Sequence, residues 1–321
     1  MEEFTQIARP AKPVPLSRPH VVAISVLLAF ALAATIPAVH GQQSSEKTFA
    51  TPGEAVLALY SAARDNDQSA MSAIFGKNSG DVLHSGDDVA DNNARENFLR
   101  RYEQMHRVVV EPDGTVTLYI GAENWPFTIS IVKASSGAWY FDTESGKQEI
   151  LYRRIGANEN DAIEICYALV DAQREYASVV RSGESSKHYA MRFFSNEGKQ
   201  NGLYWKTSGT EPPSPIGPMI ADATSEGYTD KSAPFHGYYF RILTKHGASG
   251  DGEKNYVVHG QLIGGFAFVA YPAEYKNSGV MTFIVDQHGV VYEKDLGPDT
   301  QSIASAMTEY NLDKTWDPVD Q

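Results

Sequence analysis

An uncharged apolar run, residues 21–38 (VVAISVLLAFALAATIPA), separates a short basic N-terminal segment from the rest of the chain. Three basic residues precede the run, and small and polar residues follow it. A basic start, an apolar centre and a small-residue exit are typical of an export signal. We therefore expect residues 1–41 to be a signal peptide that is cleaved near Ala38 or Gly41, so that only the remainder folds.

An uncleaved N-terminal membrane anchor is the alternative interpretation of residues 1–41. The apolar run is 18 residues long, which is at the lower limit for a helix that crosses a bilayer. Under either interpretation the bulk of the chain works outside the cytoplasm. The expected location is periplasmic or secreted, or anchored at the inner membrane, with membrane contact only through the uncleaved N-terminal segment.

The composition of the remaining 280 residues agrees with an exported globular protein. The first 41 residues carry three basic and two acidic side chains, so the remainder has a formal charge of −14 against −13 for the whole chain. An acidic surface works against binding to phosphate backbones, and we expect no nucleic-acid partner. The hydrophobic fraction of 42% is sufficient for a core.

Cys166 is the only cysteine, so a folded exported domain has to be held by its core without disulfides. It lies in a run with apolar residues at spacings of three and four, which marks one face of a helix. A catalytic thiol needs an exposed and electropositive environment, and no neighbouring residue supplies one. We therefore predict that Cys166 is a buried structural residue.

Residues 49–156 are predicted to form an N-terminal α+β domain. Apolar periodicity predicts a helix after Thr51, a short helix around residues 70–75 and a third around residues 94–105. Strands 107–110 and 116–120 flank Asp113-Gly114, and strands 127–132 and 139–141 follow; both pairs are typical of hairpins. Helices followed by an antiparallel meander predict helices laid on a curved sheet. This order resembles the layout of nuclear-transport-factor-like domains.

Residues 157–318 are predicted to form a C-terminal domain in which a long helix packs on a second antiparallel sheet. The long helix is expected from Glu159 to Val180 and a shorter one near Tyr189–Phe194. The region from Ser195 to Pro234, which contains the proline-rich segment EPPSPIGP, is expected to be a loop. The predicted strands are 237–243, 256–258, 263–271, 280–285 and 290–294, and a final helix starts at Pro298. The fold class is therefore α+β.

Several long strings of this sequence are similar to one family of bacterial exported proteins. They are NWPFTISIV, WYFDTESGKQEILYRRIGANE, AIEICYALVDAQREYA, GLYW, EPPSPIGP, HGYYFRIL and SGVMTFIVDQHGVVYEKDLGPDT. The chain from about Phe49 to Pro318 resembles the family catalogued as domain of unknown function 2950. This resemblance implies export and implies no particular chemistry.

The C-terminal block alone resembles the heads of type IV pilin-like and pseudopilin proteins. A long helix is followed by GYYFRIL, FVAYP and SGVMTFIVDQHGVVYE, in the order of a helix laid on an antiparallel sheet. In pilins the hydrophobic segment continues directly into that helix. Here the apolar run lies far upstream, and Glu159, Asp161 and Glu164 open the helix, so the resemblance implies only the head layout.

We find no catalytic signature in the sequence. It contains no H-E-x-x-H, G-x-S-x-G or P-loop motif and no paired cysteines. His236, His259 and His288 fall on separate predicted loops and strand ends, so we expect no metal site and no cofactor. Asp142, Glu144 and Glu149 near Arg153-Arg154 are interpreted as a solvated turn between the two blocks, in which the arginines pair with acidic neighbours.

Aromatic residues crowd residues 204–275 beside the proline-rich segment. Tyr204, Trp205 and Tyr238, together with His236, are the candidate ligand-binding residues, because aromatic rings on a rigid platform suit stacking on sugars or holding extended peptides. The alternative is that most of these rings belong to the core.

The sequence therefore predicts an exported cell-envelope protein with a non-catalytic binding or assembly role. An envelope protein or cell-wall glycan is the expected partner. A hydrolase that acts on envelope material through carboxylates or a histidine of the C-terminal block is the alternative.

Overall fold

The structure is a computed structural model that describes residues 46–181, 185–207, 213–247 and 254–319. The predicted signal peptide or anchor lies outside these residues. The described residues belong to one compact unit. Its helices are α1 (Pro52–Arg64), α2 (Gln68–Phe75), α3 (Gly80–Leu83), α4 (Asp88–Gln104), α5 (Thr143–Tyr176), α6 (Gly217–Ser225) and α7 (Thr300–Ala306).

The strands form two five-stranded sheets and two small ones among the described residues. They are β1 (His106–Val110), β2 (Val116–Ile120), β3 (Trp125–Pro126), β4 (Ile131–Lys133), β5 (Trp139–Phe141), β6 (Tyr238–Leu243), β7 (Lys245–His246), β8 (Lys254–Asn255), β9 (Val257–Val258), β10 (Gln261–Leu262), β11 (Ala267–Pro272), β12 (Met281–Asp286), β13 (Val291–Asp295), β14 (Glu309–Tyr310) and β15 (Asp317–Pro318). The first sheet has the order β1-β2-β4-β5 with β3 beside β2, and the second has the order β15-β13-β12-β11-β6. Both sheets are antiparallel, and the predicted α+β class is confirmed.

The N-terminal block follows its local sequence signals closely. Thr51 caps α1 by accepting a hydrogen bond from the Glu54 backbone N–H at 3.1 Å. The helix buries one face with helical spacing, formed by Ala55, Val56, Leu59, Ala62 and Ala63. The β1–β2 hairpin turns at Gly114, which has a φ of +87°. One strand differs from expectation, because the structure has a strand over residues 131–133, paired with β5, where the sequence predicts one over residues 127–132. The helices and this sheet enclose the first hydrophobic core.

Helix α5 begins at Thr143, well before the predicted start at Glu159, and runs unbroken to Tyr176. The predicted solvated turn is therefore wrong, because Glu144, Glu149 and both arginines belong to the first half of this helix. Arg153 does pair with Glu149, at 2.7 Å and a spacing of four residues. The polar sequence around Gly156 suggests a break, but side chains of this stretch bond to neighbouring segments and keep the helix continuous.

The second core is built in three layers. Ile165 and Leu169 of α5 pack on the face of the second sheet that carries Tyr238. Side chains alternate along a strand, so Arg241 lies on the opposite face, where its Nη1 donates to the α7 carbonyl of Ala304 at 2.9 Å. Every residue of β11 is buried, as expected for a strand that is covered on both faces.

Two other predictions for the C-terminal block are wrong. Residues 189–194 contain no helix; the Tyr189 N–H donates to the Leu262 carbonyl at 2.8 Å, and Phe194 forms a bridge with Tyr204. The predicted loop from 195 to 234 contains α6, which Pro218 helps to start. The boundary between the predicted domains 49–156 and 157–318 falls inside α5, and the division into domains stays a prediction.

The two cores meet at a polar junction that includes the carboxylate of Asp87. This side chain caps α4 by accepting from the backbone N–H groups of Val89 and Ala90, at 3.1 and 3.0 Å. Its other oxygen accepts from the Tyr228 hydroxyl at 2.9 Å and from the Gly237 N–H at 3.0 Å. Asp87 is 2% exposed, so one buried carboxylate joins the N-terminal helices to the start of β6.

Arg154 and Asn277 form the second part of the junction. Arg154 Nη1 donates to the Asp81 carbonyl at 2.7 Å and to Asn277 Oδ1 at 2.5 Å. Asn277 Nδ2 donates in turn to the His84 carbonyl at 2.8 Å. Burial lowers the pKa of Arg154, although nearby carboxylates partly offset the effect. The first half of α5 is thus tied to α3 on one side and to the β11–β12 loop on the other.

We expect Asp87→Ala to lower the free energy of unfolding by about 3 kcal/mol or more, because it leaves buried donors without an acceptor. The matched control is Asp88→Ala at the neighbouring exposed carboxylate, with an expected change within about 0.5 kcal/mol. Urea unfolding monitored by circular dichroism gives both values. Equal midpoints for the two variants would contradict the role assigned to Asp87.

Cys166 is fully buried, as predicted, and burial raises the pKa of its thiol to about 12. We expect the native protein to resist alkylation at pH 8, where the folded thiol is protonated, and to react fully in urea. Ser305→Cys, at an exposed position, provides a reactive control. Because the pKa of the thiol is higher in the folded state, its contribution to the free energy of unfolding is fully present below the pKa of an ordinary thiol. This contribution is lost as the pH rises toward 12. Rapid alkylation of native Cys166 would show that its environment is open.

Candidate functional site

The candidate site lies beside α6, in the stretch that the sequence predicts to be a loop. Pro215 and Pro218 lie on either side of the helix start, the N-cap residue Ile216 belongs to the second core, and Ala223 of the helix is buried. Residues 208–212, which include the beginning of the proline-rich segment, lie outside the described residues. The short helix is held away from the sheet, and a cleft of about 370 Å³ remains between them.

We call this space the α6 cleft and define it by Ile165, Phe194, Tyr204, Met219, Phe235 and Tyr238, which are among its lining residues. Its walls come from α5, α6, β6, the segment that carries Phe194 and the segment that leads into β6. Most of the lining is aliphatic or aromatic, as is usual for pockets that hold small molecules. Such walls favour an apolar ligand surface.

Several polar side chains of the α6 cleft are engaged within the protein. Thr224 donates its hydroxyl to the Ile220 carbonyl at 2.6 Å, and the Tyr228 hydroxyl is bound to Asp87. Burial and the nearby Asp87 charge raise the pKa of Tyr228, so its hydroxyl stays protonated. The Tyr204 hydroxyl is different, because it has no hydrogen-bond partner within the part of the chain that the structure describes.

A second, polar pocket of about 450 Å³ adjoins the α6 cleft. We call it the lysine basin and define it by Lys199, Lys206 and Lys231, with Glu197 as its acidic member. Tyr204 and Lys231 line both spaces, so the apolar and the basic compartments meet at these two residues. The Lys231 ammonium lies 4.5 Å from the centroid of the Phe194 ring at this boundary.

The lysine basin is locally basic on an acidic protein. Lys199, Lys206 and Lys231 are exposed, and none of them has a carboxylate within 4.0 Å among residues 46–181, 185–207, 213–247 and 254–319. The loop that carries Lys199 is held in place, since Arg192 donates to Asn196 Oδ1 at 2.8 Å. The whole chain has a formal charge of −13, so three unpaired lysines attract anions to this part of the surface.

Three of the four sequence-predicted site residues line these compartments. Tyr204 lies at their boundary, and Tyr238 lines the α6 cleft although it is 0% exposed and donates its hydroxyl to the Met281 carbonyl at 2.9 Å. Trp205 lines the lysine basin but is only 6% exposed, with the Arg181 guanidinium 4.9 Å from its ring centroid. These two rings therefore serve mainly as packing, and a ligand role for all four residues stays a prediction.

His236 lies next to the α6 cleft and not in its lining. Its Nδ1 is 2.9 Å from an Asp161 carboxylate oxygen, and its Nε2 is 2.6 Å from one of Glu226. The backbone here has a φ of +49°, and the rings of Phe235 and Tyr228 lie alongside. Because both ring nitrogens already hold carboxylates, His236 ties α5 to the end of α6 and has no nitrogen left for a substrate.

In the part of the chain that the structure describes, the other histidines do not line the α6 cleft. His288 Nδ1 lies 2.8 Å from Asp286 in the β12–β13 turn, and His259 lies in the turn between β9 and β10. Among the described residues, histidine, cysteine and carboxylate side chains form no cluster of three or more that could hold a metal ion.

A further cavity of about 430 Å³ lies in the first core, and its polar side chains are largely occupied. The Asp91 carboxylate accepts from the Ser85 N–H at 3.0 Å, and Arg154 is bound into the polar junction. Arg95 Nε is the buried exception, without a hydrogen-bond partner. The α6 cleft is the stronger candidate, because unpaired groups of Tyr204 and Lys231 stand at its boundary.

Sequence reasoning finds the aromatic side of this site and misses the basic side. The density of aromatic residues around Tyr204 and Tyr238 is visible in the sequence. Lys199 and Lys206 lie in one segment, but Lys231 lies beyond α6, and no spacing rule brings it to the other two. The available signal was the exposed loop around Gly198, which also holds Lys199.

Comparisons with known proteins give a family and no further relatives. Within the described residues, no helix is both long enough and apolar enough to cross a membrane. Searches of the curated proteins and of the solved structures find no match to this chain, and the likeness to pilin-like heads stays a prediction. A family model described as "Protein of unknown function (DUF2950)" matches residues 46–319. The chain therefore belongs to this family, as its long sequence strings predict.

Proposed function

We propose that this protein is exported to the bacterial cell envelope and acts there by non-catalytic binding, with the α6 cleft as its binding site. The leader-like pattern of residues 1–41 and the acidic remainder support export. A periplasmic or secreted location follows, or an inner-membrane anchor where the leader is retained. For residues 157–318 we further propose a pilin-like head layout and a role in assembly.

The observation that carries the binding role is the apolar cleft of about 370 Å³ with a basic pocket at its mouth. Its wall residues come from several elements of one core, so the cleft is largely formed before a ligand enters. The partners that the sequence predicts, an envelope protein or cell-wall glycan, would enter the α6 cleft on the side where the lysine basin adjoins it.

The described residues favour binding over catalysis. The Cys166 thiol is buried and protonated at neutral pH, and His236 has both ring nitrogens held by carboxylates. A general base has to reach the proton that it removes, and a nucleophile has to reach its substrate. Neither group meets that requirement, so the hydrolase alternative has less support.

We expect export to remove the leader. Expression of the tagged chain in a bacterial host, followed by fractionation and mass spectrometry, should give a periplasmic or secreted product that begins after Ala38 or Gly41. A membrane-bound product that keeps residues 1–41 would instead support the anchor. Intact chain in the cytosol, with its first forty residues in place, would contradict export.

We expect the neutral apolar dye N-phenyl-1-naphthylamine to bind saturably in the α6 cleft. Met219→Trp fills the cleft with a larger ring and should weaken the dye by about tenfold or more. Met191→Trp makes the same change at an exposed residue outside the cleft and should leave the fluorescence titration unchanged. Absence of saturable binding, or equal loss in both variants, would contradict the assigned site. Turnover of ester, peptide or glycan substrates by the purified protein would instead favour the hydrolase.

A further inference from the structure

We infer that the α6 cleft and the lysine basin together bind an anionic amphiphile, with one alkyl chain in the cleft and a carboxylate or phosphate head in the basin. This inference rests on the proposed binding function and adds the chemical class of the ligand. It follows from three features of the site: the apolar walls, the shared boundary and the unpaired lysines.

The walls of the α6 cleft suit an alkyl chain better than a glycan. A sugar presents many hydroxyl groups, and each one loses water when it enters a pocket without hydrogen-bond partners. The Thr224 and Tyr228 hydroxyls in the lining are already engaged within the protein. An alkyl chain needs no such partners and gains from burial along Ile165, Phe194 and Met219.

Because the two compartments adjoin, they favour a ligand with one apolar end and one charged end. Tyr204 and Lys231 line both the α6 cleft and the lysine basin. The Lys231 ammonium lies 4.5 Å from the centroid of the Phe194 ring, at the boundary of the two compartments. A molecule with an apolar tail and a charged head can therefore satisfy both compartments at once, with the head beside Lys231.

The charge of the lysine basin selects an anionic head. Three lysines and two carboxylates line the two compartments: Glu197 lies in the lysine basin, and Asp230 lies in the lining of the α6 cleft, where it accepts hydrogen bonds from the Ser232 N–H and hydroxyl at 2.8 and 2.7 Å. None of the three is paired with a carboxylate in the described ranges, so an incoming anion does not have to displace an existing ion pair. Ammonium groups bind carboxylate and phosphate oxygens through charge-assisted hydrogen bonds. A fatty acid and a singly acylated phospholipid share this chemistry.

The test is displacement of N-phenyl-1-naphthylamine from the protein by amphiphiles of matched chain length, below their micellar concentrations. Dodecanoate and dodecyl phosphate should both displace the dye, and dodecyltrimethylammonium should need at least tenfold more. Affinity along octanoate, decanoate and dodecanoate should rise about fourfold for each added methylene, as expected for burial of the chain. Displacement by only one of the two anions also supports the inference and identifies the head as carboxylate or phosphate.

The variant Lys199→Gln/Lys206→Gln/Lys231→Gln tests the basin. It should weaken dodecanoate by at least tenfold while binding the neutral dye normally, which shows that it is folded. Lys77→Gln/Lys187→Gln/Lys314→Gln makes the same charge change at exposed lysines outside the basin and should bind dodecanoate as the parent does. Equal loss in the two triple variants would overturn the assignment of the head to the basin.

The outcomes separate this inference from the proposed function. Saturable dye binding that anionic and cationic amphiphiles displace equally would overturn the anionic ligand and keep the binding site. Displacement of the dye by soluble cell-wall glycan fragments, but not by dodecanoate, would also overturn the anionic ligand and keep the binding site. It would identify the glycan as the partner. Failure of the dye to bind at all would contradict the proposed site itself.

Discussion

The buried carboxylate of Asp87 is the contact that brings the two cores of this protein into one unit. It caps α4 and at the same time accepts hydrogen bonds from Tyr228 and Gly237, which belong to the C-terminal block. A buried charge is tolerated only where donors replace its lost water. Here the donors come from both blocks, so the carboxylate is fully satisfied only when the blocks are in contact. The α6 cleft depends on the same contact, because Tyr228 is both a partner of Asp87 and a lining residue.

Helix α5 connects the polar junction to the second core. Its first half is polar and is held by hydrogen bonds, such as those from the N–H groups of Val280 and Met281 to Glu159 at 2.9 Å. Its second half is apolar and packs on the second sheet, where Cys166 and Leu169 are buried. Hydrogen bonds therefore hold the first half of α5, and apolar packing holds the second half. The polar half is hydrogen-bonded to the start of the central strand β12, and the second half supplies one wall of the α6 cleft.

The parts of the fold that could be predicted are those in which local sequence and final packing agree. The buried face of α1 and the turn at Gly114 follow from apolar spacing and turn chemistry, and the structure confirms both. The early start of α5 and the existence of α6 could not be predicted, because tertiary hydrogen bonds and prolines outweigh periodicity there. For the site, Tyr204 was found from aromatic density. The neighbouring lysines were not, because only the folded chain brings Lys231 beside the loop that carries Lys199.

The position of the α6 cleft explains why the aromatic residues of this region serve two purposes. Tyr238 of β6 is fully buried and donates its hydroxyl to the Met281 carbonyl of β12, whereas Tyr204 is only partly buried and its hydroxyl has no partner within the described residues. Core aromatics make a rigid wall, and a rigid wall lowers the conformational entropy that the protein loses when a ligand binds. An acidic protein repels anions over most of its surface. The unpaired lysines at the cleft mouth reverse that repulsion locally, so an anionic amphiphile would meet attraction only at the place where its alkyl chain can be buried.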